Sequence, residues 1–208
     1  MGLTLNTNSL NLATSGASAA TGLSTSDVTT LIKNNTPYQF ITKLAVPASV
    51  TQMDFSNIFS ATDGFSQYRI ILDGVDGAQG QNHMQMFLEI DGGWITSNLG
   101  NAYGFANVRH SGTGGSYNAD QASNYGWYIF NRYWENAISG NIDLSIDSNG
   151  RPTCLWFLNA SHSNTQPSWT FGSGTLNTTN QCTGFRLQTV SGDWVAGGVV
   201  RVYGVNNV

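Results

Sequence analysis

"NIDLSIDSNGRPTCLWFLNA", residues 141–160, decides the fold class. Ile142, Leu144 and Ile146 alternate with Asp143, Ser145 and Asp147, the period-two pattern of a strand that buries one face. Ser148-Asn149-Gly150 supplies turn chemistry, and Thr153 to Leu158 returns as a second strand. The stretch reads as an antiparallel hairpin.

The same period continues on both sides of it. From Gln39 onward, "FITKLAV", "VTQMDF", "YRIILDGV", "MQMFLEI", "AYGFANV", "YGWYIFNRYW", "TCLWFLNA", "WTFGSGTL", "TGFRLQTV" and "GVVRVYGV" read as strands between turn-rich stretches. There is no βαβ alternation and no internal repeat. Short strands at this spacing predict an all-β domain over 37–208, an antiparallel β-sandwich of jelly-roll type.

Residues 1–36 read differently. "LTLNTNSLNL" puts Leu3, Leu5 and, after a slip, Leu10 and Leu12 at period-two positions, an extended arm able to add a strand to a partner's sheet. "ATSGASAATG" follows as a small-residue linker. Ser24 then caps one short α-helix, about 24–34, with Asp27 in its first turn and Leu23 and Val28 placed as a hydrophobic staple. Val28, Leu31 and Ile32 share one face, and Asn34-Asn35 with Pro37 stop the helix. A helix this short falls below the roughly 12–15 residues needed for independence in water, so it docks on its own domain or on a partner. The seven apolar residues Leu3, Leu5, Leu10, Leu12, Val28, Leu31 and Ile32 are the candidate attachment surface.

Charged residues are 10% of the 208, against roughly 25% in an ordinary soluble domain. Solubility rests on Asn, Ser, Thr, Gln and Gly, a surface suited to packing against copies of itself or against neutral polymers such as glycans. The net charge of -4 and the scattered 8 Lys and Arg argue against nucleic acid as a partner. No segment approaches the length of a membrane span, and "MGLTLNTNSLNL" lacks the basic and apolar regions of a secretory signal. Cys154 and Cys182 fit neither a zinc site nor a disulfide framework, leaving two thiols or one bridge between neighbouring strands.

Three stretches are candidates for contact. In "YGWYIFNRYWEN", Tyr128, Phe130 and Trp134 lie on the strand face opposite Tyr125, Trp127, Ile129 and Tyr133. That face is either an aromatic platform for sugar rings or, more simply, a surface buried against a neighbouring sheet or subunit. "NVRHSGTGGSYNADQASN", residues 107–124, reads as a long loop whose Arg109, His110, Tyr117 and Asp120 offer surface recognition, or as a loop without a ligand. "DGVDGAQGQNH", residues 73–83, lacks the spacing of a calcium loop, and turn chemistry accounts for its Asp-Gly pairs. No catalytic constellation is visible: Glu89 alternates outward in its strand, Glu135 lies at the end of another, and His83, His110 and His162 are far apart. No enzyme activity, metal or cofactor is expected.

"YRIILDGV", "MFLEIDGGW", "ISGNIDLSI", "CLWFLNASH" and the ending "TGFRLQTVSGDWVAGGVVRVYGV" resemble the C-terminal β-sandwich domains of tailed-bacteriophage virion proteins. Gly197-Gly198, Val200, Val202 and Tyr203-Gly204-Val205 carry the closing-strand pattern. "LSTSDVTTLIKNNTPYQFITKL" is similar to the short helix and linker that precede such domains in tail-fibre and head-fibre proteins. The resemblance covers residues 22–208 and brings no residue-level functional signature. It implies a non-enzymatic structural protein, usually a homotrimer, docked on another virion protein through its N-terminal arm. Such a protein is made in the host cytoplasm and released by lysis. A short tail fibre contacting a host-surface glycan is the first expectation, a capsid decoration or head-fibre protein the second, and a free carbohydrate-binding module the third.

Overall fold

In the computed structural model the hairpin forms as its period requires. Residues 138–146 pair antiparallel with residues 152–162, Ile142 opposite Trp156 and Leu144 opposite Cys154. Ile142, Leu144 and Ile146 are buried. Asp147 closes the turn: its carboxylate accepts the backbone N–H groups of Asn149 and Arg151 at 2.8 and 2.9 Å.

The structure describes residues 4–6, 9–11, 36–60, 64–77, 83–95, 102–111, 114–122, 126–130, 137–162, 166–190 and 192–206; at 4–6, 9–11, 102–111, 114–122, 161–162 and 166–167 it describes backbone only. Its strands are β1 (Thr4–Asn6), β2 (Ser9–Asn11), β3 (Tyr38–Ala45), β4 (Gln52–Phe55), β5 (Gln67–Gly77), β6 (Met84–Ile90), β7 (Gly93–Trp94), β8 (Ala102–Ser111), β9 (Gly114–Ala122), β10 (Trp127–Phe130), β11 (Ile138–Ile146), β12 (Pro152–His162), β13 (Gln166–Thr175), β14 (Cys182–Thr189), β15 (Trp194–Val195) and β16 (Val199–Val205). No helix occurs among the described residues.

The chain divides into two compact units, residues 1–39 with 206–208, and residues 40–205. In the first, β1 and β2 form a short antiparallel ladder with Leu5 opposite Leu10, so this part of the arm folds back on itself instead of running extended. Leu3, Leu12, Val28, Leu31, Ile32 and the predicted helix lie outside the described residues.

In the second unit, the larger sheet runs β3-β16-β5-β11-β12-β13-β8-β9, with β15 pairing β5, and the smaller runs β10-β6-β14-β4, with β7 pairing β6. Every ladder from β16 through β9 in the larger sheet, the β15–β5 pair and every ladder of the smaller sheet is antiparallel. Alternate residues of both sheets enter one core, Met53, Met86 and Leu187 from the smaller and Ile70, Leu144 and Val202 from the larger. An aromatic run connects them: Phe55 stacks on Phe185 at 4.5 Å, Phe185 meets Phe59 at 5.9 Å, and Phe59 meets Tyr68 at 4.4 Å. The arrangement is sandwich-like.

Two expected loops turn out to be strand. Residues 107–124, read as a recognition loop from their Gly, Ser and Asn content, largely form the β8–β9 hairpin, with Val108 opposite Tyr117. "DGVDG" belongs to β5, where pairing with β15 and β16 outweighs its turn-like composition. Cys154 and Cys182 are free, buried thiols on different sheets, so no bridge joins neighbouring strands. Burial pushes both thiols up, Cys182 to about 12.

Candidate functional site

Strands β12 and β13 carry the least ordinary surface of the molecule. On β12, Cys154, Trp156, Leu158 and Ala160 point into the core, yet the alternate set also includes Leu155 and Phe157. On β13 the pattern is inverted. Its inward residues are the small or polar Ser168, Thr170 and Gly174, while Trp169 and Phe171 face outward.

The inversion has a steric cause. The Trp127 indole from β10 lies against Gly174, where an added Cβ would sit 2.8 Å from its ring. A large side chain from the facing sheet fills the core at this point, so β13 contributes backbone and small groups beneath it. Its large side chains are left on the other face. There Leu155, Phe157 and Phe171 are 60%, 49% and 44% exposed, with Trp169 half-buried beside them.

Register makes the outward groups one strip. Phe157 is opposite Phe171, Leu155 opposite Ser173, and Asn159 opposite Trp169. On the next strand Ala106 and Val108 stand at the positions opposite Phe171 and Trp169. On the other flank the face becomes polar. Arg69 on β5 donates to both carboxylate oxygens of Asp143 on β11 at 2.6 and 2.9 Å, and Asn141 adds a third bond at 3.2 Å. Arg201 pairs with Asp73 at 2.9 Å. These partly exposed ion pairs contribute little to stability, but they neutralise the border of the strip. Completing the burial of Leu155, Phe157 and Phe171 would be worth roughly 2–5 kcal/mol. Chemically, the strip can pack against a flat apolar partner; it carries no acid–base pair.

The residues singled out from the sequence do not gather here. Arg109 and His110 lie on β8, Tyr117 and Asp120 on β9, with Arg109 opposite Ser116 and Asp120 opposite Phe105. They occupy a strand ladder, not a loop. Phe130, expected on an interface face with Tyr128, is fully buried in the core. A register shift between Tyr128 and Phe130 breaks the alternation, so Ile129 and Phe130 both turn inward. Tyr128 stays half-buried on the outer side, its ring edge-on to His83 at 5.7 Å, and Trp134 lies outside the described residues.

Glu89 keeps the expected alternation but not the expected exposure. It is 3% exposed, and its carboxylate accepts the Asn57 N–H at 2.8 Å and the Thr183 hydroxyl at 3.0 Å. The turn at Asn57, with φ of 55°, brings that N–H over the sheet. Glu89 is thus a structural acceptor. Asp73 is paired with Arg201, and Asp76 is a separate, partly buried carboxyl that burial pushes up. No group of three or more His, Cys, Asp or Glu gathers to hold a metal among the described residues, and no helix there is long and apolar enough to cross a membrane. A shallow hollow lined by Ser66, Gln67, Ser145, Asp147 and Arg151 lies beside the hairpin turn, with Asp147 already committed to backbone N–H groups.

Leu155, Phe157, Trp169 and Phe171 were invisible as a site in the sequence. The only signal was that β12 is apolar at both alternations and β13 has its aromatic residues on one alternation alone. Comparison with family models, curated proteins and solved structures finds no match for the chain.

Proposed function

We propose that this chain is a non-enzymatic structural protein of a tailed-phage virion, a short tail fibre that docks through its N-terminal arm and displays a sandwich of jelly-roll type at the host surface. The observation that supports this most is the uncovered strip of Leu155, Phe157 and Phe171 on a low-charge sheet face. An apolar strip with a neutralised border suits permanent packing against identical subunits, and the subunits are proposed to form a homotrimer. The sequence resemblance supplies the virion context, and the strip supplies a reason for assembly.

The same strip would also suit a decoration or head-fibre protein seated on a capsid shell. Position on the particle separates the two. Gold-labelled antibody against this chain, applied to virions from lysates in which it is made, is expected to mark the tail. Label on the shell would favour the decoration reading, and unlabelled particles would contradict both.

A further inference from the structure

The outward face of the smaller sheet has a different chemistry. Its strands set Tyr128, Gln85, Gln188 and Gln52 opposite one another in a single row across β10, β6, β14 and β4. The adjacent residues Met86, Leu187 and Met53 are buried in the core, so the row points away from it. Strands lie about 4.8 Å apart, and three of them in succession each place one primary amide in the row. Each amide carries an acceptor oxygen and a donor NH2 group side by side. The side-chain amides of Gln85 and Gln188 hydrogen-bond neither each other nor any other group among the described residues.

Phe87, Arg186 and Asp54 form the next outward row. Arg186 donates twice to Asp54, at 2.6 and 2.8 Å, and stacks 4.3 Å above the Trp94 ring. The cation and the anion of this row neutralise each other. Phosphate or sulfate would need an uncommitted cation, which these two rows do not offer. An apolar protein surface would leave the amides without partners. A neutral sugar chain meets both requirements: vicinal hydroxyls take a donor and an acceptor side by side, and C–H ring faces pack on aromatic rings.

We propose that this face binds a neutral, extended polysaccharide lying across the four strands. Gln85 and Gln188 bond its hydroxyls, Gln52, whose amide also donates to Asp54 at 3.5 Å, extends the row by its acceptor oxygen, and Tyr128 and Phe87 pack against its rings. The proposal rests on the display reading above for its biological setting and on the two rows for its chemistry.

The test is calorimetric titration of the full chain with maltohexaose, cellohexaose and mannohexaose to about 10 mM, where even a millimolar Kd approaches saturation. A sulfated heparin hexasaccharide is the charged control. The expected result is saturable binding of at least one neutral hexasaccharide, weakened about tenfold or more by combined Gln85→Ala and Gln188→Ala, and insensitive to added salt. Absence of neutral-sugar binding, binding that survives the double substitution, or binding of the sulfated sugar alone would overturn the site. Light scattering on the same samples keeps the two readings apart: a trimer that binds no sugar removes this site and leaves the assembly reading standing.

Discussion

The large outward side chains of β12 and β13 on the larger sheet are Leu155, Phe157, Trp169 and Phe171; on the smaller sheet one outward row reads Tyr128, Gln85, Gln188 and Gln52. Both sheets send their inward residues to the same core, so the contrast does not arise from stability inside. It lies in what each face gains from being covered. Apolar side chains gain free energy whenever water is removed. Amides lose it unless the incoming surface replaces every hydrogen bond. The first face therefore favours lasting contact with a complementary apolar surface, and the second favours reversible contact with something as rich in hydroxyls as water.

The contrast is broken most severely at Gly174, which lets Trp127 from the smaller sheet decide which side of β13 turns outward. Gly174→Val should cost about 2–3 kcal/mol through overpacking, read as a lower urea midpoint with an unchanged slope. An unaltered midpoint would mean that Trp127 does not set the inversion. Gln188→Ala on the wet face should leave the same midpoint unmoved.

Next in size is Glu89, on the same alternation of β6 as Gln85 and Phe87. Glu89→Ala strips the Asn57 N–H and the Thr183 hydroxyl of their buried acceptor and should cost roughly 1–3 kcal/mol in the same assay, while Glu89→Gln should retain most of the stability. Arg186→Ala should cost less, about 1 kcal/mol, shrinking in high salt, because its pair with Asp54 and its stack on Trp94 are partly exposed. Equal costs for Arg186→Ala and Glu89→Ala would show that the two acidic contacts are not distinguished by burial.

The smallest effect at neutral pH belongs to the thiols, one in each sheet. Their raised folded values favour the protonated form, so the associated stability is fully present below the ordinary thiol value of 9.0 and is lost as pH rises toward about 12, the value for Cys182. Folded protein should resist iodoacetamide at pH 8 and take up label at both cysteines after unfolding in urea. Rapid labelling of the folded chain would place a thiol outside the core.

Much of this was legible in the residues. The β11–β12 hairpin was clear because Ile142, Leu144 and Ile146 alternate strictly and the Asp147–Gly150 turn satisfies its own backbone. The strip was not, because the periodicity of β13 reports two faces without saying which lies inside; the answer comes from Trp127, far away in sequence. The β9 strand was hidden because "GGSYNADQA" has turn composition, and its pairing with β8 is a property of the ladder. A bulge in β10 turns Phe130 inward, and Glu89, outward as its alternation requires, is covered by the turn at Asn57. The amide row depends on the register of four strands that are not consecutive in sequence, which no local pattern encodes.

The most direct test of the central claim is the native mass in solution, by light scattering, of the unaltered chain and of its Phe157→Ser/Phe171→Ser variant. With the strip as the subunit interface, the first should weigh three times 22.4 kDa and the second 22.4 kDa, with the variant still folded. A monomeric unaltered chain, or a trimer indifferent to the two substitutions, would contradict it.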